Sequence, residues 1–157
     1  MLQRKQTIFL LLAVVCGALT FFFPVATHIR GGQVFLFKTT GLVMADGTTV
    51  TDAVPKVPFA AVIGLTVVLY AAAIFFYRKR TRQLRVVRSV DLVVLAILAF
   101  LFIVDNSIKA HLGQSGTVTT SYGVSAFLPI GMLLFGFLAE RGIRKDEALI
   151  KSMDRLR

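Results

Sequence analysis

Charged residues divide this chain into four apolar stretches. Gln6 to Thr27, Val57 to Tyr77 and Leu112 to Ala139 contain no Asp, Glu, Lys or Arg, and Leu92 to Val104 forms a shorter fourth run. Crossing a hydrocarbon core takes about 20 apolar residues at 1.5 Å each. The pattern therefore predicts transmembrane helices near 6–27, 57–77, 88–108 and 119–139. The third run has 13 residues, only ~20 Å of helix, so it must recruit polar flanks. A start near Val86 would immerse Asp91, whereas Ser89 as N-cap would make Asp91 a first-turn carboxylate and immerse Asp105. The Ser89 start is favoured, because Ser followed by an acid is an ordinary helix opening.

Between the first two spans the pattern changes. Pro24 and Gly31-Gly32 stop a continuing helix, and Gln33 to Lys38, Leu42 to Ala45 and Thr48 to Thr51 are β-prone runs. Asp46-Gly47 lies between two of them, and Asp-Gly suits a type I′ turn because both central residues need φ > 0. Loop 28–56 is thus expected to hold a small hairpin of two or three strands, resting on the bundle mouth or on a partner because an isolated hairpin is marginal in water. In the tail, 140–157, Ile143, Leu149, Ile150, Met153 and Leu156 fall near one helical face, and Glu140 with Arg144 and Glu147 with Lys151 are spaced i,i+4. That predicts a separate amphipathic helix. The expected fold is an all-α membrane protein: one domain over 1–157, a four-helix transmembrane bundle with an extracytoplasmic hairpin and a cytoplasmic C-terminal amphipathic helix.

Composition agrees with membrane embedding, at 56% hydrophobic, 17% charged and a mean hydropathy of +0.77. The net charge of +10 would suggest nucleic acid, but its distribution argues for lipid. Of 18 basic residues, 14 lie before the first stretch, in the 78–88 link or after the fourth; with five acids beside them that side carries +9, against +1 for the other. The positive-inside rule then puts both termini and the 78–88 link in the cytoplasm, and anionic headgroups account for the excess. The expected protein is a multi-pass membrane protein.

Candidate chemistry is sparse. Cys16 is the only cysteine, which excludes an intramolecular disulfide or a CxxC redox pair. An intramembrane acid is a functional candidate by default, but Asp91 three residues after Arg88, and Asp105 four before Lys109, are placed to form fixing pairs. His28 and His111 with Asp105 would make a two-histidine, one-carboxylate site; without an HxxxH or HxxE spacing, two interfacial histidines are the better description. Ser121, Tyr122 and Ser125 beside Pro129 suggest a polar stripe in a kinked helix, and Ala13 with Gly17 has the small-xxx-small spacing of close helix packing. No nucleophile elbow or phosphate loop occurs. No catalytic, metal or cofactor-binding residues are assigned.

The Met1 to Ala13 segment, the Arg-rich link and above all Arg141-Gly-Ile-Arg-Lys-Asp-Glu-Ala-Leu-Ile-Lys-Ser-Met-Asp-Arg-Leu-Arg157 resemble the small four-span inner-membrane family of Bacteroidota called domain of unknown function 4293. The resemblance runs the whole length and implies an inner-membrane location and four-span topology, but carries no activity across. The expected role is a non-enzymatic accessory or scaffold subunit of an inner-membrane assembly, with a small oligomeric transporter or lipid-handling protein as the alternative. Structural or docking candidates are Arg88, Asp91, Asp105, Lys109, Ile143, Ile150, Met153, Arg155 and Arg157. Expected partners are membrane lipids and other inner-membrane proteins, not nucleic acid.

Overall fold

The computed structural model describes residues 5–50, 58–114 and 116–154. Four helices, α1 Lys5–Leu19, α2 Phe59–Phe75, α3 Arg80–Gly113 and α4 Leu128–Asp154, close a ring in which α1 and α3 each pack between α2 and α4. The buried positions of α3 include Val87, Val90, Val94, Ile97, Leu101, Val104, Ile108 and Leu112, spaced three or four apart as one inward stripe requires. Its outer face is also apolar, with Leu92, Leu95, Phe100 and Ile103 exposed. Gly17 lets α1 approach its neighbours closely: a Cβ there would meet Val67 Cγ2 at 2.5 Å and Met132 Cε at 3.0 Å, the close packing that the Ala13 and Gly17 spacing predicts.

The four-helix transmembrane bundle is not what forms. Among the described residues, two helical segments are long and apolar enough to cross a membrane, Arg80–Gly113 and Val124–Leu149. At 15 and 17 residues, α1 and α2 rise only about 22 and 26 Å, less than the ~30 Å of a hydrocarbon core. The fold is four helices plus a four-stranded antiparallel sheet. Lack of charge marks where a chain tolerates lipid, but it does not make every uncharged residue helical. After Leu19 the chain turns: the Thr20 hydroxyl donates to the Gly17 carbonyl at 2.6 Å. Pro24 follows, disfavouring helix in the residue before it.

The sheet comprises β1 Ala26–Arg30, β2 Gln33–Lys38, β3 Gly41–Met44 and β4 Val118–Tyr122, in the order β3-β2-β1-β4. Arg30 pairs with Gln33 across Gly31-Gly32, whose φ values of 56° and 84° are the two positive angles of a type I′ turn. These glycines make a hairpin rather than merely ending a helix. A turn forms at Asp46-Gly47, with Met44 N donating to Thr48 O at 2.8 Å and Gly47 N to Met44 O at 2.9 Å, but it is not the expected type I′, because only Gly47, and not Asp46, has a positive φ; beyond it the described residues form the single bridge Val43↔Thr49. Two hydrogen bonds from Thr48, side chain first and backbone second, hold the exposed Asp46 carboxyl below its ordinary value.

Strand β4 pairs with β1 along its whole length, from Ala26↔Tyr122 to Arg30↔Val118, in a region expected to open the fourth helix. Ser121 and Ser125 accordingly share no helical face: Ser121 is in β4, while buried Ser125 donates to the Thr20 carbonyl at 3.1 Å. Nor does Pro129 kink a helix, since it lies in the first turn of α4, where its missing N–H has no intrahelical partner to lose. Phe35, Phe37, Leu42 and Ala26 face the bundle, packing with Phe59, Ile63, Leu101 and Ile108. A second core at the other end joins Leu10, Tyr70, Val87, Val90, Met132 and Ile143.

Two further expectations are corrected. Helix α3 begins at Arg80, so neither Val86 nor Ser89 starts it, and the Arg-rich link is largely its first turns. The tail is no separate amphipathic helix: α4 runs unbroken from Leu128 to Asp154. Ile143 is fully buried within the chain's own core and so is not part of an outward docking stripe. The side chains of Ile150, Lys151 and Met153, and residues Leu156, Arg155 and Arg157, lie outside the described residues.

Candidate functional site

Polar side chains gather at two places on α3, about 21 Å apart along its axis between Asp91 and Asp105. The first lies under the sheet. His28, on the inward face of β1, is fully buried, and Asp105 is nearly so. Asp105 Oδ2 accepts from Lys109 Nζ at 2.7 Å and from the Tyr122 hydroxyl at 3.1 Å, while Lys109 Nζ also donates to the Tyr122 oxygen at 2.7 Å. The Lys109 ammonium lies 4.8 Å from the centre of the Tyr122 ring, within cation–π range. His28 Nε2 approaches Asp105 Oδ1 to 3.2 Å, off the line of a straight hydrogen bond, and Nδ1 lies 3.0 Å from Thr120 Oγ. With Nε2 protonated, the imidazole faces the carboxylate and accepts from Thr120.

This cluster ties three elements together: His28 from β1, Thr120 and Tyr122 from β4, Asp105 and Lys109 from α3. The expected Asp105–Lys109 pair is there. His28 is buried beside Asp105 rather than interfacial, and His111 is exposed on a different side of α3 from the buried stripe. No group of three or more His, Cys, Asp or Glu that would hold a metal ion occurs among the described residues.

The second cluster lies toward the opposite end, where α1 and α3 begin and α4 finishes. A Cβ on Gly142 of α4 would stand 3.3 Å from Gln6 Cβ of α1, and Arg80 Nη1 donates to the Asp146 carbonyl at 3.1 Å. There Asp91 does not pair with Arg88. The hydroxyl of Tyr70, fully buried on α2, donates to Asp91 Oδ1 at 2.5 Å, while Arg88 Nε donates to Glu140 Oε1 at 2.7 Å. Arg144 donates to the same oxygen from one turn further along α4, the i,i+4 pair expected from the sequence. The Tyr70–Asp91 contact exists because residue 136 is glycine: a Cβ there would run into Asp91 Oδ1 and stand 2.8 Å from the Tyr70 oxygen.

Beside these groups α3 and α4 leave an open groove of about 460 Å³. Arg88, Asp91, Glu140 and Arg144 line one part, and Leu92, Leu95, Leu133 and Phe137 the rest. Sequence reasoning singled out Arg88, Asp91, Asp105 and Lys109, and placed Tyr122 in a helical stripe rather than beside Asp105; it did not find Tyr70, Thr120 or the buried role of His28. A lone Tyr inside an apolar helix was the available signal, since a buried phenol needs a partner; which partner depends on helix packing.

A family model described as Domain of unknown function (DUF4293) matches residues 2–156, essentially the whole chain. No curated protein matches.

Proposed function

The chain belongs to this family of unknown function, and from its geometry we propose that it is a non-enzymatic integral membrane protein acting as an accessory subunit of an inner-membrane assembly. The observation that carries this reading is the apolar outer surface between two polar ends. Leu65, Val68, Leu92, Ile103, Leu134 and Phe137 are all more than half exposed, and helices that are apolar inward and outward alike belong in lipid. In this reading α3 and α4 are the crossing helices. Their basic ends, Arg80 to Arg88 and Arg141 to Lys145, face the cytoplasm, and the sheet lies outside. Three acids on these helices have internal partners: His28, Lys109 and Tyr122 for Asp105, Tyr70 for Asp91, and two arginines for Glu140. This supports a fastening role, since a reacting group needs a free face for substrate. The lipid-handling reading is favoured by one observation, the groove between α3 and α4.

The test has two parts. With Cys16→Ala as background, Thr48→Cys should label from outside sealed cells and Ser152→Cys only after permeabilisation. Both labelling from one side would defeat the topology. For the accessory role, mild-detergent purification of tagged protein should retain the same membrane proteins in every preparation. Ile150→Ser with Met153→Ser should lose them, while Arg155→Gln with Arg157→Gln should weaken them less. Absence of any stoichiometric partner in the unaltered protein would refute that role.

A further inference from the structure

We infer that the groove between α3 and α4 binds one molecule of an anionic glycerophospholipid from the cytoplasmic leaflet, its phosphate on Arg88 and Arg144 and an acyl chain along Leu92, Leu95, Leu133 and Phe137. The inference rests on the membrane embedding proposed above. Two ladders of residues make the groove. On α3, Arg88, Leu92 and Leu95 succeed one another at i, i+4 and i+7; on α4, Leu133, Phe137, Glu140 and Arg144 do so at i, i+4, i+7 and i+11, so each set shares one helical face. The helices run in opposite directions, so the two arginines meet at one end and the leucines and Phe137 at the other. Leu133 to Arg144 spans about 16 Å of helix, close to the ~15 Å of one leaflet's hydrocarbon.

The charged end is suited to a phosphate. Each guanidinium has five N–H donors in a planar fork, and both direct one bond to the same oxygen, Glu140 Oε1. Glu140 thereby holds the two arginines side by side, while their side chains remain about half exposed, at 48% and 56%. Two positioned guanidiniums with donors to spare match the bidentate geometry of a phosphodiester. Asp91 is turned toward Tyr70 by the hydrogen bond from the phenol, which leaves the arginines to receive the anion. A wholly apolar groove would accept any chain, but this one ends in two arginines with N–H donors left over from their shared bond to Glu140, and with Asp91 held by Tyr70, at the depth where headgroups lie. That separates an anionic lipid from a neutral one and from a protein helix with an apolar face.

The experiment uses full-length protein delipidated in mild detergent, with dioleoylphosphatidylglycerol, dioleoylphosphatidylcholine or water-soluble glycerol phosphate as probe, and native mass spectrometry as readout. The expected result is one bound phosphatidylglycerol per chain, weaker binding of phosphatidylcholine and none of glycerol phosphate. Arg144→Gln should weaken phosphatidylglycerol binding at least about fivefold, and Arg144→Lys less, because a point charge replaces a fork. Leu95→Trp, filling the apolar part, should weaken both lipids, whereas Leu134→Trp on the exposed surface outside the groove should weaken neither. Circular dichroism of each variant separates loss of lipid from loss of fold, and a variant that unfolds is replaced by Phe137→Trp or Arg144→Lys. Equal binding of the two lipids, or retention unchanged by Arg144→Gln and Leu95→Trp, overturns the inference. A dimer that Leu95→Trp dissociates would instead assign the groove to a second copy. Labelling that contradicts the topology defeats the membrane reading itself, whereas correct labelling without selective lipid binding defeats only this proposal.

Discussion

Replacing Asp105 by Ala should destabilise the protein more than any other single removal of an acid on α3. The carboxylate is 3% exposed, accepts from Lys109 at 2.7 Å and Tyr122 at 3.1 Å, and faces His28 at 3.2 Å. Removing one partner of a buried charge pair costs roughly 3 to 5 kcal/mol. The Lys109 side chain is 29% exposed and regains water, so the expected cost falls to about 2 to 4 kcal/mol. For a chain of this length that lowers Tm by roughly 5 to 15 °C. Asp91→Ala removes one hydrogen bond and leaves the Tyr70 phenol unpaired, at a cost of about 1 to 3 kcal/mol. Thermal unfolding in one detergent, followed by circular dichroism, gives the ranking. Asp105→Asn, which keeps the shape and one acceptor oxygen, should recover part of the loss, and a cycle with His28→Ala should show coupling of about 1 kcal/mol. An Asp105→Ala Tm within about 2 °C of the unaltered protein, or a larger loss for Asp91→Ala, would refute the claim that this cluster fastens the sheet to the bundle.

Gly136→Ala should break the Tyr70–Asp91 contact and cost about 1 to 3 kcal/mol by overpacking, whereas Gly142→Ala, where the nearest atom is 3.3 Å away, should cost less; equal stabilities would refute the assigned crowding. The Asp46 carboxyl should titrate below the ordinary ~3.9, because the folded turn favours its ionised form. The Thr48 contacts therefore contribute fully above the unfolded value and are lost as pH falls through the folded one. The Thr48 amide chemical shift follows this, and a midpoint at or above the ordinary value would contradict it.

Much was legible in the residues alone because it depends on composition along the chain. The four apolar stretches, the basic end and the Asp46-Gly47 turn follow from transfer free energy, charge and local backbone sterics, which need no knowledge of neighbours. The Asp105–Lys109 and Glu140–Arg144 pairs were readable for the same reason: four residues on a helix are always adjacent. Tertiary structure decided the rest. Whether Val118 to Tyr122 continues a helix or forms a strand turns on backbone pairing with β1, 92 residues away in the case of His28 and Thr120, and Thr, Ser and Tyr permit either. Arg88 reaches Glu140 rather than Asp91, and Asp91 receives Tyr70, only because α2, α3 and α4 meet there around Gly136. Ile143 turns inward for the same reason: a helical pattern shows that a stripe exists, and packing decides whether the chain itself or another molecule covers it.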